Sequence, residues 1–209
     1  MNGKQWLNER FDKSTLMALI SGFSASGQAE PPATVLHIAT HFTPNPVDLM
    51  KSTLLLGTGL PFTLQEIDMN KDLSSYDLVT LSACETALGG KGSPKKAGSP
   101  ISEPDRRVVM TVPGEEVEGF AVFMQQRRAK SVLASLWKVD DVGTAQWMEA
   151  FYRFRGEQRK LTKAKAVAEV QKSMLTGKIV DSAIRDGKKG VDLKLPYYWA
   201  PFILLGNWL

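Results

Sequence analysis

The chain has 209 residues, 43% of them hydrophobic, and a formal net charge of +4. This fits one globular domain with a substantial core and excludes a transmembrane helix, because no apolar run approaches the ~18 residues that one needs. The positive excess falls at 160–172, 91–107 and 188–189 and marks a solvated surface, not a nucleic-acid-binding face; the single cysteine excludes an internal disulfide.

Residues 4–20 carry Trp6, Leu7, Phe11, Leu16, Met17, Leu19 and Ile20, a pattern of one helix or two short ones, with Asp12 or Ser14 as cap. A loop rich in Ser, Gly and Pro at 21–32 ends this N-terminal segment (1–32) and leads into the main body (33–209). The stretch 33–41 is a buried-strand pattern that holds both histidines, His37 and His41. Thr43, Pro44, Asn45 and Pro46 impose an irregular turn directly after it. A short strand at 52–56 follows, then a capping-box helix start from Thr63 to Glu66. Within 77–83, Leu78, Val79 and Leu81 form an uncharged run, as in a strand covered on both faces, and Cys84 stands at its end.

Residues 89–113 are dense in Gly, Pro and charge and read as a long exposed or disordered loop. The span 114–128 is a predicted helix, with Val117, Phe120, Ala121 and Met124 on one face and Glu115, Glu116 and Glu118 in its first turn, where the helix dipole favours acids. A buried strand is predicted at 131–136. A helix follows at 141–155, capped by Asp141, with Trp147, Met148, Phe151 and Tyr152 inward. The span 161–175 is a basic amphipathic helix with Ala164, Val167, Ala168 and Leu175 inward and a solvated outer face. A polar connector at 177–194 leads to 197–205, which closes the sheet. Strands alternating with helices imply a mostly parallel sheet with helices on both faces, and no repeat of solenoid period is present.

Cys84 stands where α/β proteins place their sites, at the carboxyl end of a strand. A cysteine nucleophile attacks as thiolate and needs a base beside it. A histidine at the end of a second strand supplies one. His41, next to the Pro-rich turn, is the expected base, and His37 is expected to be buried and structural, although spacing alone leaves it open as the base. Two histidines and one cysteine lack the fourth ligand and the close spacing of a zinc site, and no cofactor is called for.

Several stretches in order resemble the CHAT domain, a caspase-like module often found beside tetratricopeptide repeats. They are His37-Ile-Ala-Thr-His41, Ser52-Thr-Leu-Leu-Leu56, Leu81-Ser-Ala-Cys-Glu-Thr86, Gly114-Glu-Glu-Val117, Ser135-Leu-Trp-Lys-Val-Asp-Asp141, Phe151-Tyr152 and Pro196-Tyr-Tyr-Trp-Ala-Pro-Phe202. Ala83-Cys84 lies about forty positions after His41, against roughly 50 in the caspase signature. The resemblance implies a caspase-like three-layer α/β/α sandwich with a mostly parallel sheet. It also implies one that lacks the N-terminal strands of the full domain: a fragment, a short form, or half of a domain that another chain completes.

The same resemblance implies a cysteine endopeptidase that cuts partner proteins with a His41–Cys84 dyad, under the control of a sensor or repeat-containing protein. The expected location is the cytoplasm, because no signal-peptide core opens the chain, and no membrane partner is expected. Backbone N–H groups of Cys84 and Phe42 would hold the oxyanion, with Phe42 standing where the family usually has glycine. Asp140, Asp141 and Glu85 are the candidate carboxylates of the substrate pocket, where they would favour a basic residue; Asp141 also reads as a plain helix cap. Lys95-Lys96 and Arg106-Arg107 are candidate autoprocessing pairs in the long loop. The competing readings are a catalytically silent interaction module and acyl transfer to a non-peptide substrate.

Overall fold

The computed structural model describes residues 4–21, 34–45, 47–67, 72–82, 115–137, 140–156, 160–187 and 189–209. Among them a four-stranded sheet runs in the order β1 (Val35–Ile38), β5 (Leu78–Leu81), β6 (Ser131–Ser135), β7 (Phe202–Gly206). The first three strands are parallel, and β7 returns antiparallel to β6. A separate antiparallel sheet joins β2 (Phe42–Thr43), β3 (Thr53–Leu55) and β4 (Pro61–Thr63).

Alternation along the strands builds the layers. In β5, Val79 and Leu81 enter the apolar cluster on one face of the sheet, and Leu78 enters the cluster on the other. The first cluster takes Leu16 and Ile20 from α1 (Lys13–Ile20), Leu36 and Ile38 from β1, and Phe120, Phe123 and Met124 from α2 (Glu115–Gln126). The second takes Trp147, Phe151 and Phe154 from α3 (Asp141–Arg155) and Ala166, Val170 and Met174 from α4 (Lys163–Leu175). Trp147 stacks on Phe202 at 4.2 Å and on Phe151 at 5.4 Å, so α3 is fixed to the far edge strand by aromatic contact. The fold is thus an α/β/α three-layer sandwich with a largely parallel mixed sheet.

Local signals in the sequence explain the element starts. Asp12 caps α1 by accepting from the Thr15 N–H at 2.7 Å. Thr63 and Glu66 close the expected capping box, here on a single 3-10 turn. Gly206 holds φ +89 beside the Lys130 carbonyl, so a Cβ there would lie 2.5 Å from that oxygen.

Other expectations are corrected. Asp140, not Asp141, caps α3; its Oδ1 accepts from the Gly143 N–H at 2.6 Å, and Asp141 is the first helical residue. The buried face of α4 is Lys163, Ala166, Val170, Ser173 and Met174, whereas Ala168 and Leu175 are exposed. An ion pair turns the helix this way, because the fully buried Lys163 places its Nζ 2.8 Å from Asp77 at the head of β5. The connector 177–194 includes a short helix, α5 (Ser182–Arg185), and another, α6 (Pro196–Trp199), precedes β7. Proline at the first turn of α6 delays the last strand to Phe202. No helix among the described residues is long and apolar enough to cross a membrane.

Candidate functional site

Parallel pairing of β1 with β5 sets Val35 beside Leu78 and Ile38 beside Leu81. The carboxyl ends of the two strands therefore finish side by side. Past Leu81, the Ser82 N–H donates to the Ile38 carbonyl at 3.0 Å, extending the pairing by one residue. Cys84 and Glu85 follow in sequence but lie outside the described residues, as do Lys95, Lys96, Arg106 and Arg107.

On the other arm, β1 stops at Ile38, so His41 lies beyond the strand, between β1 and β2. The expectation that both histidines share one strand is corrected accordingly. His41 is exposed, and its carbonyl accepts from the Leu55 N–H at 2.8 Å. The Thr40 hydroxyl donates to the Leu55 carbonyl. The small antiparallel sheet thus holds the His41 carbonyl and the Thr40 hydroxyl and leaves His41 exposed.

Phe42 opposes Leu54 across β2 and β3. With the Leu55 N–H bonded to the His41 carbonyl, Phe42 occupies a non-hydrogen-bonded position and turns its own N–H away from β3. Its φ is not positive; the described non-glycine residues with positive φ are Asn8, Arg128 and Lys160. Its ring is 2% exposed and meets Phe120 edge-on at 5.5 Å. A phenylalanine is accommodated here because the strand conformation asks nothing that only glycine supplies.

His37 departs from its expected buried role. Its Nε2 shares a 2.7 Å hydrogen bond with the Ser82 Oγ, and its ring lies 5.6 Å from that of Tyr152 on α3. Among the described residues β1 is an edge strand, and part of the imidazole keeps exposed surface. The protein around it nevertheless crowds the ring, and this desolvation pushes the imidazole from 6.5 down to about 4. A histidine so weakly basic is a poor proton acceptor at neutral pH. Tyr152, pushed up by burial to about 12, donates its hydroxyl proton to the Thr80 Oγ1 at 3.0 Å. His37 and Ser82 were both legible as members of their strands, but their contact follows from register and not from spacing.

Asp140 is half-buried and committed to its cap, and Asp141 is exposed. Trp137, at the end of β6, donates its indole N–H to the Tyr197 carbonyl at 3.2 Å, which ties the turn before α3 to α6. Asp140 spends its carboxylate on the Gly143 N–H, and among the described residues neither carboxylate pairs with His37 or His41. Among the described residues, no group of three His, Cys, Asp or Glu side chains is placed to hold a metal ion.

A family model, the CHAT domain, matches residues 3–207. The match therefore takes in α1 as well as the sheet. No curated protein matches the chain.

Proposed function

The chain belongs to the CHAT domain family, caspase-like in character, and from that premise we propose that it is a cysteine endopeptidase that cuts partner proteins with a Cys84–His41 dyad. One observation carries the reading. β1 and β5 are parallel neighbours in register, so the arms that lead to His41 and Cys84 leave the same sheet edge side by side. In this reading Cys84 attacks the scissile carbonyl as thiolate, and His41 takes the thiol proton and returns it to the leaving amine. The weakly basic imidazole of His37 supports His41 as the base. The N–H of Phe42, turned away from β3, and that of Cys84 are the proposed oxyanion donors.

Substrate choice is assigned to the turn after β6, through Asp140 and Asp141, and to Glu85. A repeat-containing or other sensor protein is the proposed regulator, in the cytoplasm. The test is labelling by peptidyl electrophiles that carry Arg, Lys, Leu or Asp beside the reactive group. We expect labelling that is lost in both Cys84→Ala and His41→Ala, with a preference for Arg or Lys. Labelling that survives His41→Ala would remove the dyad. A folded wild type whose Cys84 never labels would favour an interaction module.

A further inference from the structure

We propose that His37 is a positioning residue that latches Ser82, and through Ser82 the segment that leads to Cys84, to the end of β1. The proposal rests on the peptidase reading only for its consequence in catalysis. Ser82 is tied to β1 twice: its N–H bonds the Ile38 carbonyl at 3.0 Å, and its Oγ meets His37 Nε2 at 2.7 Å. The backbone bond fixes where the chain leaves the sheet. The side-chain bond fixes its rotation about that point, because it acts across the strands at a second atom. Cys84 is two residues farther on.

His37 is itself held by α3. Its ring lies against Tyr152, and the Tyr152 hydroxyl donates to Thr80, the residue registered opposite His37 in β5. The side chains of Tyr152, Thr80, His37 and Ser82 therefore make a run from α3 across β5 and β1 to the exit of β5. His37 touches no reacting atom in this scheme. It fixes the end of β5, from which the chain runs on to Cys84 in sequence.

The ring and the hydrogen bond can be separated. His37→Phe keeps a ring against Tyr152 and removes the bond, Ser82→Ala removes its partner, and His37→Gln offers a side-chain amide in place of Nε2. On the full chain we would measure amide hydrogen exchange across 82–86 and the inactivation constants of the peptidyl electrophile that labels wild type best. His37→Phe and Ser82→Ala should each speed exchange by about fivefold, the worth of one neutral hydrogen bond. Each should lower the maximal inactivation rate by a similar factor and leave the binding constant of the electrophile unchanged. The double variant should be no worse than either single one, and His37→Gln should recover most of the loss.

Unchanged exchange in either single variant overturns the latch. So do additive losses, or a glutamine no better than phenylalanine. Faster exchange with an unchanged inactivation rate overturns the catalytic role. If labelling of wild type proves independent of His41, the dyad reading fails, and the exchange data alone decide the latch.

Discussion

At the scale of single residues, the two histidines divide their work by environment. Both keep exposed surface, but His41 is anchored through its backbone carbonyl, whereas His37 is hydrogen-bonded through its ring. The depressed imidazole of His37 makes a thermodynamic prediction. As pH falls from 6.5 toward 4, an unfolded chain takes up a proton on His37 that the folded chain refuses. Stability contributed by neutral His37 is therefore present above pH 6.5 and is lost progressively below it. Urea midpoints at pH 7 and pH 5.5 should fall more for wild type than for His37→Gln. Equal shifts in the two proteins would mean that the folded imidazole titrates normally. The upper part of this window lies above the ordinary range of carboxylates, so Glu66, held at about 2 mainly by Lys13 and by the Thr63 N–H, does not obscure it.

At the scale of elements, Asp77 determines how two helices meet the sheet. It stands at the amino end of β5, opposite the His and Cys arms. Its carboxylate receives Lys163 Nζ of α4 at 2.8 Å and Arg155 Nη2 of α3 at 3.2 Å. Partial burial pushes the Asp77 carboxyl up, but the Lys163 ammonium and the Arg155 guanidinium outweigh it and hold the carboxyl below its ordinary value. The Arg155 Nε and Nη1 are buried and make no hydrogen bond to the described residues. Asp77→Ala would leave two cations facing each other without an anion, and should cost about 3 kcal/mol in urea denaturation. Adding Lys163→Met should restore part of that loss, and no restoration would show that the ammonium is hydrated in the variant. This pair also explains a limit of the sequence reading. Element existence followed well from pattern in β5, β6, α2 and α3, where apolar spacing is regular. The face of α4 did not, because a buried lysine reads as surface until its carboxylate partner, from a distant strand, is known. The strands β2 and β4 are two and three residues long, too short to carry a period. At the site, His41 and Cys84 read from the sequence as strand-end residues; His41 lies beyond β1, and Cys84 lies outside the described residues. The His37–Ser82 contact was not legible, because it depends on which strands pair and in what register.

At the scale of the whole molecule, two kinds of sheet share one hinge point at His41. The sheet of β2, β3 and β4 is built from neighbours in sequence, within residues 42–63. The pairing of β1 with β5 and of β5 with β6 joins residues far apart, Val35 with Leu78 and Val79 with Val132. Closing these loops of roughly forty and fifty residues costs chain entropy before any contact rewards it. A consequence in time follows from this arrangement in space. We expect the hairpin sheet to form first during refolding and to carry His41 in place, with the arm of Cys84 arriving later. Pulse-labelled exchange would then show the Leu55 N–H, bonded to the His41 carbonyl, protected before the Ser82 N–H, bonded to the Ile38 carbonyl. The reverse order would mean that the parallel core is the nucleus. In the expected order, a nascent chain keeps His41 and the end of β5 apart until the long-range sheet has closed. Under the proposed peptidase reading, activity would then arise only as the last strands pair, which delays reactive chemistry until the domain is whole.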